Sequence, residues 1–188
     1  MSAAYHVALR TGIDGVTLRA VAAKAKLSHG LVVFYFRGKD SLIDALLDRV
    51  LATTAILHVS ADVAKIPHAP QRFGALLRQE LRRLASDPRG TRLFFEYWAL
   101  GVRKAGIRQK IAAALERYRA AIKAMAEEML PTTVFHDSPM TPVSLAALAV
   151  SLISGCAVQA MMDPTHFDAE AYLTAFQRLF DHFASREA

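Results

Sequence analysis

The stretch TLRAVAAKAKLSHGLVVFYFRGKDSLIDALL, residues 17–47, decides how the whole chain is read. Thr17 is a good N-cap for a short helix over 18–25, because its hydroxyl can accept an orphan backbone N–H of the first turn. Leu27-Ser28 forms a break, and Ser28 stands where it can cap a second short helix over about 29–35. Gly38 breaks the chain again, and a third helix opens at Lys39. Two short helices joined by a tight turn have the size and layout of a helix-turn-helix. In such a unit the first helix must bury Leu18, Val21, Ala22 and Ala25. The second must enter a major groove, so its leading side chains must be small or polar, as Ser28, His29 and Gly30 are. A glycine inside a short helix costs about 1 kcal/mol of propensity. Gly30 therefore needs a compensating reason, which close approach to a backbone or to DNA would supply. Phe34 and Phe36 read as core.

Outward from this stretch almost everything reads as helix, and the expected class is all-α with about nine helices. Residues 2–11 precede the helix-turn-helix, ended by Gly12 and Gly15. The helix opening at Lys39 carries Leu42, Leu46 and Val50 on one stripe and is expected to run over 39–65, to Pro67. Helices over 71–86, 89–104 and 107–129 follow, the middle one rich in aromatics. The longest loop lies between Pro131 and Pro142, and helices over 143–162 and 168–185 close the chain. The expected organisation is a DNA-binding domain over 1–45, with helix 39–65 continuing into a ligand-binding and dimerisation domain over 46–188.

The chain has 188 residues and a net charge of +6. Residues 1–39 hold Arg10, Arg19, Lys24, Lys26, Arg37 and Lys39 against the single acid Asp14. A small basic segment on a larger body suits a polyanion-binding module. The single Cys156 excludes an intrachain disulfide framework and a cysteine-based zinc site, and fits a reducing cytoplasm. The first 15 residues contain no continuous apolar core, so no secretory signal is read there. Residues 143–162 carry no charge over the length of a membrane span. Their alanines and serines read instead as a helix buried between helices or at a dimer seam, and no membrane partner is expected.

The quoted stretch resembles the DNA-binding signature of the tetracycline-repressor (TetR) family. The pattern is a Thr cap, an Ala-rich positioning helix, a Ser-x-Gly recognition helix, an aromatic pair ending in Phe, and Lys-Asp-x-Leu opening the next helix. HGLVVFYFRGKDSL is most similar to the BetI-like, choline-sensing subgroup. FFEYWALGV and SGCAVQAMMDPTHFDAEAY resemble that subgroup's regulatory domain. The resemblance implies a ligand-responsive transcriptional regulator, a repressor that binds a palindromic operator as a homodimer. It places Thr17, Tyr35 and Lys39 on backbone phosphates, and Ser28, His29 and Leu31 toward base edges. Lys26 stands where the family usually has Gly, a departure offset if its side chain reaches a phosphate. The family also usually has about ten more residues before its first helix.

A single helix-turn-helix reads too few base pairs for specificity, which argues for a dimer, with the apolar 143–162 and 168–185 helices as the seam. An effector pocket is expected among the middle helices. Phe94, Tyr97 and Trp98, with Tyr118 opposite, are its aromatic candidates; Ser151 and Gln159 are polar ones. An aromatic wall favours a cation, whereas the basic band over 72–123 favours an anion, so the effector's class stays open. No catalytic, metal-binding or cofactor motif is present in the sequence. The chain is therefore read as a non-enzyme without cofactor or metal. The alternative is an all-helical interaction protein without sequence-specific DNA binding.

Overall fold

The computed structural model of the chain describes residues 1–54, 57–132 and 140–184. Residues 55–56 of the expected 39–65 helix, most of the 131–142 loop and residue 185 fall outside that description. The described residues form ten α-helices and one 3-10 turn, with no strand among them. In chain order these are α1 (Ser2–Thr11), α2 (Leu18–Ala25), α3 (His29–Phe36), α4 (Lys39–Thr54) and α5 (Ala61–Ala64). They continue with α6 (Ala69–Ser86), α7 (Pro88–Arg103), α8 (Ala105–Met129), α9 (Pro142–Met162) and α10 (Ala169–Ala184).

The expected helix over 39–65 is not continuous. α4 ends at Thr54, and a separate turn of helix, α5, begins after Ser60, whose hydroxyl accepts the Val63 N–H at 3.3 Å. A side-chain cap of this kind starts a new helix rather than continuing an old one.

Two compact units divide the chain. The first joins Met1–Ile56 to Asp87–Leu115. Its core gathers Val7 of α1, Val21 of α2 and Val32 of α3 around Leu42, Leu46, Leu47 and Val50 of α4, together with Leu93 and Tyr97 of α7 and Ile107 and Ile111 of α8. The DNA-binding helices thus do not close a core among themselves. α7 is fastened to them directly: buried Tyr97 donates its hydroxyl to the Ile43 carbonyl at 2.8 Å, and Glu96 Oε2 accepts the Ile13 N–H at 2.7 Å. Gly12, at φ 72, ends α1 in the left-handed region, and a Cβ there would lie 3.0 Å from both Glu96 oxygens. Only glycine admits that carboxylate without strain. Ion pairs add a ladder along α4. Lys104 meets Asp40 at 2.8 Å, and Lys110 meets Asp44 at 2.8 Å and Asp48 at 2.9 Å. Burial and the Asp44 and Asp48 charges push the Tyr97 hydroxyl above its ordinary pKa, so it remains a proton donor.

The second unit joins Leu57–Ser86 to Glu116–Ala188. α6 turns Phe73, Leu76, Leu77 and Leu81 inward, α8 contributes Ile122 and Met129, and α9 contributes Leu145, Ala149 and Ile153. Among the described helices α9 is the one long and apolar enough to cross a membrane. Its buried residues, Leu145, Ala146, Ala149, Val150, Ile153, Cys156 and Ala157, follow steps of three and four, the spacing of a helix packed on one face.

Candidate nucleic-acid interface

The first short helix folds as its sequence requires. Thr17 Oγ1 accepts the Ala20 N–H at 3.0 Å; Val21 and Ala22 are buried, while Leu18 and Ala25 are half-buried. Lys26 ends α2 at φ 57, ψ 40, the left-handed conformation that glycine adopts most easily, and its side chain is exposed. Ser28 Oγ accepts the Leu31 N–H at 3.2 Å and starts α3. The two caps leave a tight turn, and α3 buries only Val32 and half-buries Phe36. His29, Gly30, Leu31, Val33, Phe34 and Tyr35 all face outward. Phe34 is the correction here: it is 78% exposed, not core. An eight-residue helix has one face to bury, and Val32 and Phe36 occupy it. Lys39, one turn beyond α3, donates Nζ to the Asp14 carbonyl at 3.0 Å, bridging α4 to the loop after α1. The two short helices and their flanks carry the exposed cations Arg19, Lys24, Lys26, Arg37 and Lys39. Polar caps, an exposed helix and basic flanks suit a groove bounded by phosphates.

The six residues expected to bind an effector fall in both units. In the first, Tyr97 is fully buried and its hydroxyl is engaged with Ile43. Phe94 and Trp98 are half-buried, with ring centroids 5.7 Å apart, and Trp98 helps line a cavity of about 240 Å³ with Ile111 and Leu115. In the second, Tyr118 is buried and donates to Glu80 Oε2 at 2.8 Å, while Ser151 and Gln159 lie on the exposed side of α9. An apolar cavity in the second unit, about 410 Å³, has other walls: Phe73, Leu77, Met129, Met140, Leu145, Leu148, Ala149, Leu152, Phe176 and Leu179. Every one of these side chains is apolar.

Residues 1–46 match the model of bacterial regulatory proteins of the tetR family, and residues 69–185 match the BetI-type transcriptional repressor C-terminal domain. The chain belongs to the TetR family. A TetR-family chain is a helix-turn-helix, DNA-binding transcription regulator, which accounts for the caps and basic flanks. An HTH-type transcriptional regulator in the dhlA 5′ region of Xanthobacter autotrophicus is 30% identical over 160 residues, covering 84% of this chain and 75% of that protein. Among solved structures, a transcriptional regulator from Saccharomonospora viridis in complex with choline aligns over 96% of this chain and 93% of its own, with TM-score 0.76 and 17% identity. The multidrug binding protein EbrR complexed with ethidium aligns over 95% and 94%, with TM-score 0.66 and 25% identity.

The sequence reading of this TetR-family chain did not single out Glu80. It is fully buried, and its Oε2 accepts from Arg83 Nε at 3.1 Å and Nη2 at 2.8 Å as well as from Tyr118. Its signal was present: Glu80 continues the inward stripe Phe73, Leu77 and Leu84 at helical spacing. Burial and the adjacent Glu80 charge push the Tyr118 hydroxyl above its ordinary pKa, so it remains the donor of this pair.

Proposed function

We propose that the protein is a repressor that binds a palindromic operator as a homodimer and is released by a small-molecule effector. The exposed α3, capped by Ser28 and flanked by exposed cations, carries this reading. Its phosphate contacts would be Thr17, Lys26, Tyr35 and Lys39, with Ser28, His29 and Leu31 toward the bases. The apolar face of α9 with α10 would pair two protomers, so that two recognition helices meet half-sites about 34–36 Å apart. The effector would occupy the 410 Å³ cavity of the second unit. In this reading the effector touches the walls of that cavity, and Phe94, Tyr97, Trp98, Tyr118, Ser151 and Gln159 lie outside them. Because α8 supplies residues to both units, a shift in its C-terminal part would be carried to the residues fastened to α4. A preference of the effector for the DNA-incompetent state by about 1–3 kcal/mol would be enough to couple the two events.

The test is salt-dependent binding to a duplex selected from a random pool. Lys39→Ala should weaken binding to every duplex and reduce the salt slope by about one phosphate. His29→Ala should relax sequence preference more than it lowers non-specific affinity. Parent-like binding by both variants would remove this assignment of the contacts.

A further inference from the structure

We propose that Phe34 is a specificity-determining residue that reads thymine methyl groups in the major groove, and that Gly30 is the notch which lets it approach. The proposal rests on the DNA-binding reading above and adds what α3 recognises. At 3.6 residues per turn, Phe34 lies on the side of α3 opposite Val32 and Phe36, the two residues that hold the helix to the body. Gly30 is one turn before Phe34 on that same outward side. The centre of the presented face is therefore an aromatic ring beside a position with no side chain, flanked by exposed Leu31 and Val33.

Neither feature is required by the chain itself. A Cβ at Gly30 would meet nothing within 4 Å, and Gly30 does not have a positive φ. A helical glycine that neither packing nor backbone conformation demands carries a propensity cost without an internal return. Phe34 likewise leaves most of a large apolar side chain in water, touching Tyr35 edge-on at 5.8 Å between ring centroids. Both features are explained by an outside surface that comes close at Gly30 and offers apolar contact at Phe34.

The surroundings identify that surface. The same short segment carries Arg19 and Lys24 on α2, Lys26 in the turn, Arg37 after α3 and Lys39 at the start of α4, all exposed, a positive charge that complements the phosphate backbones enclosing a groove. Within the major groove the one apolar group on a base edge is the C5-methyl of thymine. α3 is also poor in hydrogen-bonding readers: beyond its Ser28 cap, only His29 and Tyr35 carry polar side-chain atoms. Discrimination by this helix therefore depends on methyl contact more than on bidentate hydrogen bonding.

The experiment uses the full chain and the duplex selected above. Each thymine of a half-site is replaced in turn by deoxyuridine, which removes only the methyl. Parent protein should lose about fourfold in affinity at one or two thymines, the value of one buried methyl. Phe34→Ala should bind the parent and deoxyuridine duplexes equally while melting at the parent temperature. Gly30→Ala should weaken the selected duplex without lowering the melting temperature. Unchanged affinity at every deoxyuridine position, or discrimination retained by Phe34→Ala, overturns the proposal. Both results leave DNA binding itself intact, whereas failure to enrich any duplex would overturn the DNA-binding reading on which it rests.

Discussion

A fully buried carboxylate is the least expected residue of this chain. Glu80 is held by Arg83 and Tyr118 through one oxygen, Oε2, so its tolerance to change depends on which partner is removed. Tyr118→Phe deletes one of three donors and leaves the ion pair, for an expected cost of about 1 kcal/mol. Glu80→Ala removes the anion from a half-buried cation and a buried hydroxyl, and should cost about 3 kcal/mol. Urea unfolding of both variants beside the parent measures the two values. Equal costs would mean that the Tyr118 hydroxyl, not the ion pair, organises this part of the core. At the same scale, the sequence showed the caps but not the exposure of Phe34. Thr17 and Ser28 are marked by residue type at a helix start. Residues 31–34 are apolar at every position and 35–36 are aromatic, so no clear polar face reveals which side of α3 turns to solvent.

At the scale of elements, apolar periodicity located the helices well because most of them bury one face. It failed at 57–60, where the sequence stays apolar and β-branched after α4 and only the Ser60 cap marks a fresh start. It also did not distinguish a ligand wall from a structural strut. The aromatics of α7 read as pocket lining, yet Tyr97 fastens α4 to α7 through a backbone carbonyl. The ion pairs along α4 add a pH-dependent element to the same fastening. The hydrogen bond and charge of Lys104 hold the Asp40 carboxyl below its ordinary value. A carboxylate depressed in the folded state adds stability above its unfolded pKa, and loses it as pH falls through the folded one. The stability difference between parent and Asp40→Asn should therefore be present at neutral pH, shrink through the acid range and vanish below the folded pKa. Denaturant midpoints measured across that range provide the check. Because Asp40 is on the surface, added salt should shrink the difference as well. A gap that persists in strong acid would assign the effect of the substitution to helix propensity rather than charge.

α9 presents an apolar side that its own unit leaves uncovered. Leu148 is 49% exposed and Val143 is 60% exposed, although the helix carries no charged residue to solvate them. In a protomer standing alone, Val143→Glu would put a carboxylate into water at little cost. In a dimer seamed through α9 it would bury that charge, at several kcal/mol. Sedimentation velocity should therefore show a dimer for the parent and a folded monomer for Val143→Glu, with circular dichroism unchanged. A dimer that tolerates the substitution would move the seam off this face.

For the whole molecule, regulation requires the two units to communicate, and the apolar cavity of the second unit is where an effector would act. Its walls offer no charge or hydrogen bond, so selectivity there comes from shape and volume. Ala149, buried in the cavity wall at a point where α9 supplies only a methyl group, is the position at which the space can be filled from within. Ala149→Trp should occupy part of the cavity and weaken effector binding by tenfold or more, at an overpacking cost of about 1–3 kcal/mol. Operator affinity without effector should stay near that of the parent, since α3 and its basic flanks belong to the other unit. Trp98, the chain's one tryptophan, reports on the first unit in the parent protein. If, as proposed, the effector binds in the second unit and acts through α8, a compound that releases operator should change the emission of Trp98. Release of operator with no change at Trp98 would confine the effector's action to the arrangement of protomers. An Ala149→Trp protein that responds like the parent would place the effector outside this cavity.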